Sequence, residues 1–357
     1  MGIKNISLLL SQKCKDSIQK KNLKLYSNKI ITIDLSIYLY KYLYNNNDHI
    51  EGLTRQILRL YRNGITPLYV FDGIPPKEKD DVIKERYIKK SNYINRKEEI
   101  ITEIDTLTSN IDKNVENTET VENTETTETI NILKKELDKL TRKIISVTHV
   151  HVSKCKELFD LFGVPYIVSN GEAESLCAKL CTDKLAHGCI SEDTDILANG
   201  GNVFIRSFNA SSNYINEYSL PKILESLDVT YDQFIDICIL CGCDYTTKIK
   251  GIGPINAYKY IKKYDNIETI IELINDENNT TFKEYKIPEN FDYKKAKELF
   301  LDIQDIDTSV YADSIKLKKP QIDNLITFIK KNSSKLHPKY YKELTNYLFN
   351  YYSNTVR

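Results

Sequence analysis

Residues 187–197 read HGCISEDTDIL, an apolar run that abruptly carries Glu192, Asp193 and Asp195. Cys189-Ile190-Ser191 before the acids and Ile196-Leu197 after them have the pattern of a buried strand running into a turn. Carboxylates inside an apolar setting are costly unless a positive charge neutralises them. No lysine or arginine lies between Lys184 and Arg206. The neutralising charge must come from elsewhere in the chain or from outside it.

Two further segments share this design, KIITIDLS (29–36) and ITPLYVFDG (65–73), each β-rich and each reaching an aspartate near its end. Helical spacing of apolar residues lies between the three, over 53–63, 153–162 and 173–183. Strands alternating with helices predict an α/β fold with a mostly parallel sheet covered on both faces. Ligand sites in such sheets lie beyond the carboxyl ends of the strands, which would gather Asp34, Asp72, Asp193 and Asp195 at one edge. NGEAESLCAKL (170–180) adds Glu172 and Glu174 at a helix opening, and CGCDY adds Asp244 after an apolar helix.

Each acid alone has an ordinary reading, as a turn residue or as a carboxylate favoured at a helix N-terminus. Together they do not. Two unit charges ~4 Å apart repel by roughly 4 kcal/mol at an effective dielectric of about 20, so such a cluster requires cations. An all-oxygen donor set without histidine or thiolate suits Mg²⁺ or Mn²⁺ rather than zinc. Two such ions can activate a water and stabilise the leaving oxygen in phosphodiester cleavage.

Fifty basic and fifty acidic side chains cancel, so charge is informative only by position. No stretch is apolar enough to span a bilayer, and MGIKNI places Ile6 where a myristoylation motif needs serine or threonine. We expect a soluble intracellular protein. Cys238, Cys241 and Cys243 in CILCGC, with Cys177 and Cys181, resemble halves of a zinc site. Because Cys238 and Cys241 lie in the apolar run FIDICILCG, buried thiols are the expected outcome.

From 77 to 148 the composition changes. KEKDDVIKERYIKKSNYINRKEE (77–99) and ILKKELDKLTRKIISVT (132–148) read as charged helices. Between them the six residues VENTET repeat in tandem at 115–126, an acidic low-complexity tract expected to be a disordered loop. Lys79 and Arg86 are seven residues apart, so a helix puts them on one face. That face is either solvated or positioned over the acids to hold a phosphate. From about 245 onward the chain reads as helical and lysine-rich. In KIKGIGPINAYKYIKKY (248–264), Gly251 and Gly253 would form a tight hairpin with free backbone N–H groups for a phosphate. Lys259, Lys262 and Lys263 favour that reading over a plain turn.

The stretches MGIKNI, IDLSIYLY, PLYVFDGIPP, GVPYIVSNGEAES, SEDTDIL, CILCGCDY and IKGIGP resemble the flap endonuclease family of structure-specific 5′ nucleases, in order and near-spacing, over residues 1 to about 300. The resemblance implies a PIN-like nuclease core with a helical arch and a helix–two-turn–helix DNA-binding module. Its parts would be a nuclease region (1–105), the acidic arch insertion (106–131), an internal nuclease region (132–244), the DNA-binding module (245–320) and C-terminal helices (321–357). It implies that Asp34, Asp72, Glu172 and Glu174 surround a first Mg²⁺, with Asp193, Asp195 and Asp244 nearer a second. Lys79 and Arg86 would be the catalytic basic pair on the arch, and Lys143 an arch residue binding the single-stranded flap. Gly2, Tyr40, Gly242, Gly251 and Gly253 look like DNA contacts, as do Glu172 and Asp244 in their second role. Tyr40 would stack on a base, or serve simply as a core tyrosine.

Three departures stand out. Gln56 replaces an arginine, Lys248 stands where relatives hold a monovalent cation through serine, and the C-terminus lacks a basic tail. TNYLFNYY (345–352) keeps the Leu348 and Tyr351-Tyr352 spacing of a sliding-clamp box but has Thr345 in place of glutamine. The expected activity is flap endonuclease with 5′→3′ exonuclease action on branched DNA, carried by a monomer in replication and repair. The rivals are an exonuclease or junction-resolving relative, and a non-catalytic DNA-binding scaffold.

Overall fold

The three segments that end in aspartate are strands, flanked by four others that the sequence pattern does not announce. The computed structural model describes residues 2–46, 48–114, 121–208, 212–333, 336–337, 340–342 and 344–346. In chain order the strands are β1 (Ile18–Asn22), β2 (Ile30–Asp34), β3 (Thr66–Phe71), β4 (Tyr166–Val168), β5 (Gly188–Ile190), β6 (Val203–Arg206) and β7 (Tyr214–Ser219). They form one sheet in the order β1-β7-β6-β5-β2-β3-β4. The strands from β6 to β4 run parallel, while β7 pairs antiparallel with both β6 and β1. The expected mostly parallel sheet is therefore present, with an antiparallel margin.

Register decides where the acids fall. Ile33 of β2 lies opposite Ile190 of β5, and Asp34 lies opposite Val70 of β3. Asp34 thus ends level with Ser191, and Asp72 follows the last residue of β3. Strand alternation sends neighbouring side chains to opposite faces. Leu68 and Val70 pack with Leu176 and Leu180 in one core, while Tyr69 and Phe71 join Ile57 and Phe159 in the other. Tyr69 stacks on Phe159 with ring centroids 4.2 Å apart. Each such fully buried side chain contributes roughly 1.5–3 kcal/mol of transfer free energy.

Helices His49–Arg62, His149–Phe162 and Ala173–Thr182 match the predicted amphipathic stretches. Asp48 caps the first by accepting from Glu51 N at 2.8 Å, and Thr148 caps the second. Helices Asp80–Asn114 and Val121–Lys143 pair as a hairpin through Ile100, Leu133 and Leu140. Arg96 bridges to Glu136 across them at 3.2 Å. The tract expected to be a loop departs from that reading, because Val121–Thr126, the second copy of the repeat, is the start of a helix. Once the apolar contacts fix the later turns, extending a helix adds one hydrogen bond per residue ordered. Thr129 Oγ1 donating to Glu125 O shows how threonine is accommodated there. The first copy, at 115–120, lies outside the described residues.

Helices Tyr231–Cys241 and Pro254–Tyr264 flank the glycine hairpin. The lysine-rich part after about residue 245 is helical over Ile267–Asn275, Tyr293–Leu301 and Ile322–Asn332. Leu348, Tyr351 and Tyr352 of the clamp-like segment lie outside the described residues. All eight cysteines are free and buried, as expected of small hydrophobes. Among the described residues no helix is long and apolar enough to cross a membrane.

Candidate active site

Each acid owes its place to an element end. Asp34 is the last residue of β2 and is only 2% exposed. Its Oδ2 accepts from Ser191 Oγ at 3.1 Å, and its Oδ1 is buried without a partner. Asp72 accepts from Ala173 N at 2.8 Å through Oδ1, tying β3 to the opening of helix Ala173–Thr182. Its Oδ2 accepts from Ser36 Oγ. Glu172 is the N-cap residue of that helix and Glu174 lies in its first turn. Asp193 accepts from Asp195 N at 3.1 Å, an Asx turn that ties the two acids together. Asp195 is 1% exposed, and neither carboxylate oxygen has a hydrogen-bond partner.

The electrostatics follow from this crowding. Burial, then the neighbouring Asp72 and Asp193, push the Asp34 carboxyl up to about 7. Burial pushes Glu174 well above the ordinary carboxylate range, as it does Asp195, where Asp193 adds to the effect. Asp193 is also raised, again chiefly by burial.

The chain supplies part of the answer itself. Lys79, in the turn Lys77–Lys79 just before the long arch helix, is buried, and its ammonium bonds Glu172. It also lies 3.4 Å from Glu174 and 3.9 Å from Asp244. Burial alone would lower its pKa, but Glu174 and Glu172 more than reverse this, so the ammonium is held charged. Arg86, one of the more exposed cations at the rim, donates to Asp244 Oδ2 at 2.8 Å. Six of the acids line one cleft of about 330 Å³ with Tyr40, Lys79 and Arg86, while Asp195 is buried.

One ammonium does not satisfy the cluster. The unpartnered oxygens of Asp34 and Asp195 are the places where a hard cation would gain the most, and the donors are all oxygen. As the side chains stand, no three acidic, imidazole or thiol groups among the described residues converge into a metal cage. Lys79 lies among the carboxylates instead. The donor set fits Mg²⁺ once that ammonium yields.

The remaining expected residues fall at various distances from the cleft. Gly2 has φ +75°, and a β-carbon there would collide with Asp193 Oδ1 and lie 2.7 Å from Asp195 Oδ1. Gly242 has φ +104° and receives Lys4 N at its carbonyl at 2.9 Å. Lys248 packs beside it, with Cδ 3.2 Å from where a β-carbon would stand. Gly251 has φ +92°, and Gly253 opens helix Pro254–Tyr264 with free space around it. Lys143 is not in the cleft. It ends the second arch helix, with Nζ 4.9 Å from the Tyr93 ring centroid. Gln56 is fully buried and accepts from Tyr69 OH at 3.0 Å, which accounts for a neutral residue there.

Three residues that the sequence reading did not single out position the acids: Ser36, Ser191 and Tyr245. Tyr245 OH donates to Glu172 Oε2 at 2.6 Å, and its ring lies 5.1 Å from Lys79 Nζ. A local signal existed only for Ser191, whose Oγ also accepts from Asp193 N at 3.0 Å, a serine turn legible in SEDTD.

Comparison with known proteins agrees with this geometry. Residues 1–93 match the XPG N-terminal domain and residues 163–244 the XPG I-region. The chain is 35% identical over 341 residues to flap endonuclease 1 of Entamoeba histolytica, covering 90% of this chain and 80% of that protein. It is 34% identical to flap endonuclease 1 of Glycine max, covering 92% and 82%. In three dimensions it resembles the catalytic core of Rad2 in complex with DNA substrate, with a TM-score of 0.70 at 21% identity, covering 98% of this chain and 100% of that one. With its motifs, its sheet and its acid cluster in agreement, the chain belongs to the flap endonuclease family.

Proposed function

We propose that the chain is a structure-specific 5′ flap endonuclease. It hydrolyses one phosphodiester near a DNA branch to leave a 3′-hydroxyl and a 5′-phosphate, and also acts as a 5′→3′ exonuclease. The observation that carries this reading is the set of buried carboxylate oxygens on Asp34 and Asp195 that no protein donor satisfies, at a cleft edged by Lys79 and Arg86. Asp34, Asp72, Glu172 and Glu174 would hold one Mg²⁺, or Mn²⁺, and Asp193, Asp195 and Asp244 a second. When bound, the ions would supply an activated water and stabilise the leaving oxygen.

The chain's own residues do the rest. Arg86, on the rim, offers a planar fork matched to phosphate oxygens. Lys79, freed from the acids, adds a compact charge at the same place. Tyr40 is 51% exposed beside the cleft and offers a ring for an unpaired base. The Gly251–Gly253 hairpin and its lysines grip duplex backbone with sequence-independent charge. Lys248 stands in for the hairpin's monovalent cation, and Lys143 contacts the flap from the arch. The protein works as a monomer wherever DNA is replicated and repaired inside the cell, with a sliding clamp as a candidate partner. A scaffold that only bound DNA would gain nothing from Asp195, whose buried, unpartnered carboxyl costs stability.

Cleavage-site mapping on matched flap, gap, nick and four-way junction DNA with Mg²⁺ tests the reading. The expected result is one dominant cut near the base of the 5′ flap. A symmetric pair of cuts in the four-way junction, with flap DNA left intact, would replace it with the resolving activity.

A further inference from the structure

Next to the carboxylate cleft lies a second and larger hollow, of about 560 Å³. It is walled by Ile74 after β3, by the opening of helix Ala173–Thr182 and by the short turns Asp302–Asp305 and Ser309–Tyr311 that follow helix Tyr293–Leu301. Only Gly171 and Glu172 line both spaces. The hollow rests on apolar side chains: Leu176 and Ile303 are buried in it, with Leu299 and Ile306 alongside. Its rim is apolar as well, because Ile74 is 81% exposed and Val310 66%. The charged groups are of one sign. Asp302, Asp305 and Asp307 line it with Glu172, and no lysine, arginine or histidine among the described residues does. Glu172 is committed to Lys79 and Tyr245, and Asp307 to its own turn, accepting from Ser309 N at 2.9 Å. Asp302 and Asp305 are exposed. The cation that Asp302 influences, Lys295, is paired with Glu298 at 3.0 Å.

These features select a ligand. Small-molecule pockets are mostly apolar clefts of about 300–1,000 Å³ with a few polar groups that fix orientation, and the hollow has that size and lining. Apolar walls draw an apolar body out of water. Carboxylates around them attract a cation and repel phosphate, so this is not a nucleic-acid surface. We propose that the hollow binds a small organic cation, an ammonium carried on an apolar aryl or alkyl body. The body would lie against Leu176, Ile303 and Val310, with the ammonium toward Asp302 and Asp305. This assignment stands whether or not the cleft is a nuclease centre, since its argument uses neither metal nor DNA.

The test is calorimetric titration of phenylbutylammonium into the full chain at ionic strength fixed with sodium chloride. Its neutral N-acetyl derivative and the anion phenylbutyrate are titrated in parallel. Two variants at exposed positions locate the site: Asp302→Asn/Asp305→Asn removes the charge, and Val310→Lys sets a cation at the rim. The expected result is that the ammonium binds at least fivefold more tightly than the neutral derivative and that the anion gives no heat. Both variants should weaken the ammonium at least fivefold. Absence of wild-type binding, equal affinity for the three compounds, or unchanged affinity in both variants (the outcome if the amine sits among the cleft carboxylates) would overturn the proposal. A basic, leucine-bearing peptide that displaces the amine with at least tenfold higher affinity would overturn the small-ligand assignment.

Discussion

The crowded carboxylates contribute to the stability of the metal-free protein a pH dependence opposite in direction to that of an ordinary salt-bridged carboxylate. Asp34 is raised from 3.8 to about 7, first by burial and then by Asp72 and Asp193. The folded state therefore holds this proton more tightly than the unfolded chain. Its contribution is fully present below about pH 4 and is lost as pH rises through about 7. The whole difference corresponds to on the order of 4 kcal/mol. Burial shifts Asp236 up to about 6 with the same sign, whereas burial and His151 take His49 down to about 4 with the opposite sign. Comparing the protein with Mg²⁺ and with chelator at each pH removes both, since neither residue lies in the cleft. On the proposed metal site Mg²⁺ would compete with the Asp34 proton, so its stabilising increment should grow between about pH 5.5 and 7 by about 2 kcal/mol for that one proton. At roughly 2 °C per kcal/mol for a large domain, this is about 4 °C in Tm. Thermal unfolding followed by circular dichroism in both conditions gives the increment directly, and Asp34→Asn should flatten its pH dependence. A Mg²⁺ increment independent of pH, or an Asp34→Asn protein with the wild-type slope, would refute the reasoning.

Three other outcomes follow from the geometry. Tyr245→Phe removes the 2.6 Å bond to Glu172; hydrogen bonds to charged groups contribute about 1.5–3 kcal/mol, so kcat/KM for flap cleavage should fall about tenfold to a hundredfold while duplex affinity is unchanged. Gly2→Ala forces a β-carbon onto Asp193 at a positive φ; cleavage should drop at least tenfold with the circular dichroism spectrum intact, and full activity would show that the N-terminus does not constrain the acids. Lys297→Ala strips the 2.9 Å partner from the fully buried Asp236, and denaturant unfolding should report a loss of about 3–5 kcal/mol.

The sequence revealed those parts of the fold that announce themselves locally. β2, β3 and β5 are apolar runs ending at acids, and register then brings Asp34, Asp72 and Asp193 together. β1, with sequence IQKKN, contains a single apolar residue, because an edge strand has little to bury. β4 spans only Tyr166–Val168, too short for any periodicity to register. The acidic repeat misled because composition speaks to core formation, whereas its second copy continues a helix whose packing lies further on, at Leu133 and Leu140. In the site, the acids were legible because each sits at an element end. Ser36 and Tyr245 were not, since their partners lie 36 and 73 residues away. Lys79 was legible as a cation that could hold a phosphate but not as the buried counter-ion of Glu172 and Glu174, which only the folded packing shows.

The most direct test of the central claim is single-turnover cleavage of a 5′ flap substrate by Asp195→Ala, measured beside its DNA affinity. Asp195 touches no protein donor through its carboxylate, and the proposed duplex grip is at the glycine hairpin, which opens helix Pro254–Tyr264. The account predicts a cleavage rate reduced at least a thousandfold, about 4 kcal/mol of transition-state stabilisation, with flap DNA bound within about threefold of wild type. Cleavage at the wild-type rate in the substituted protein would contradict it.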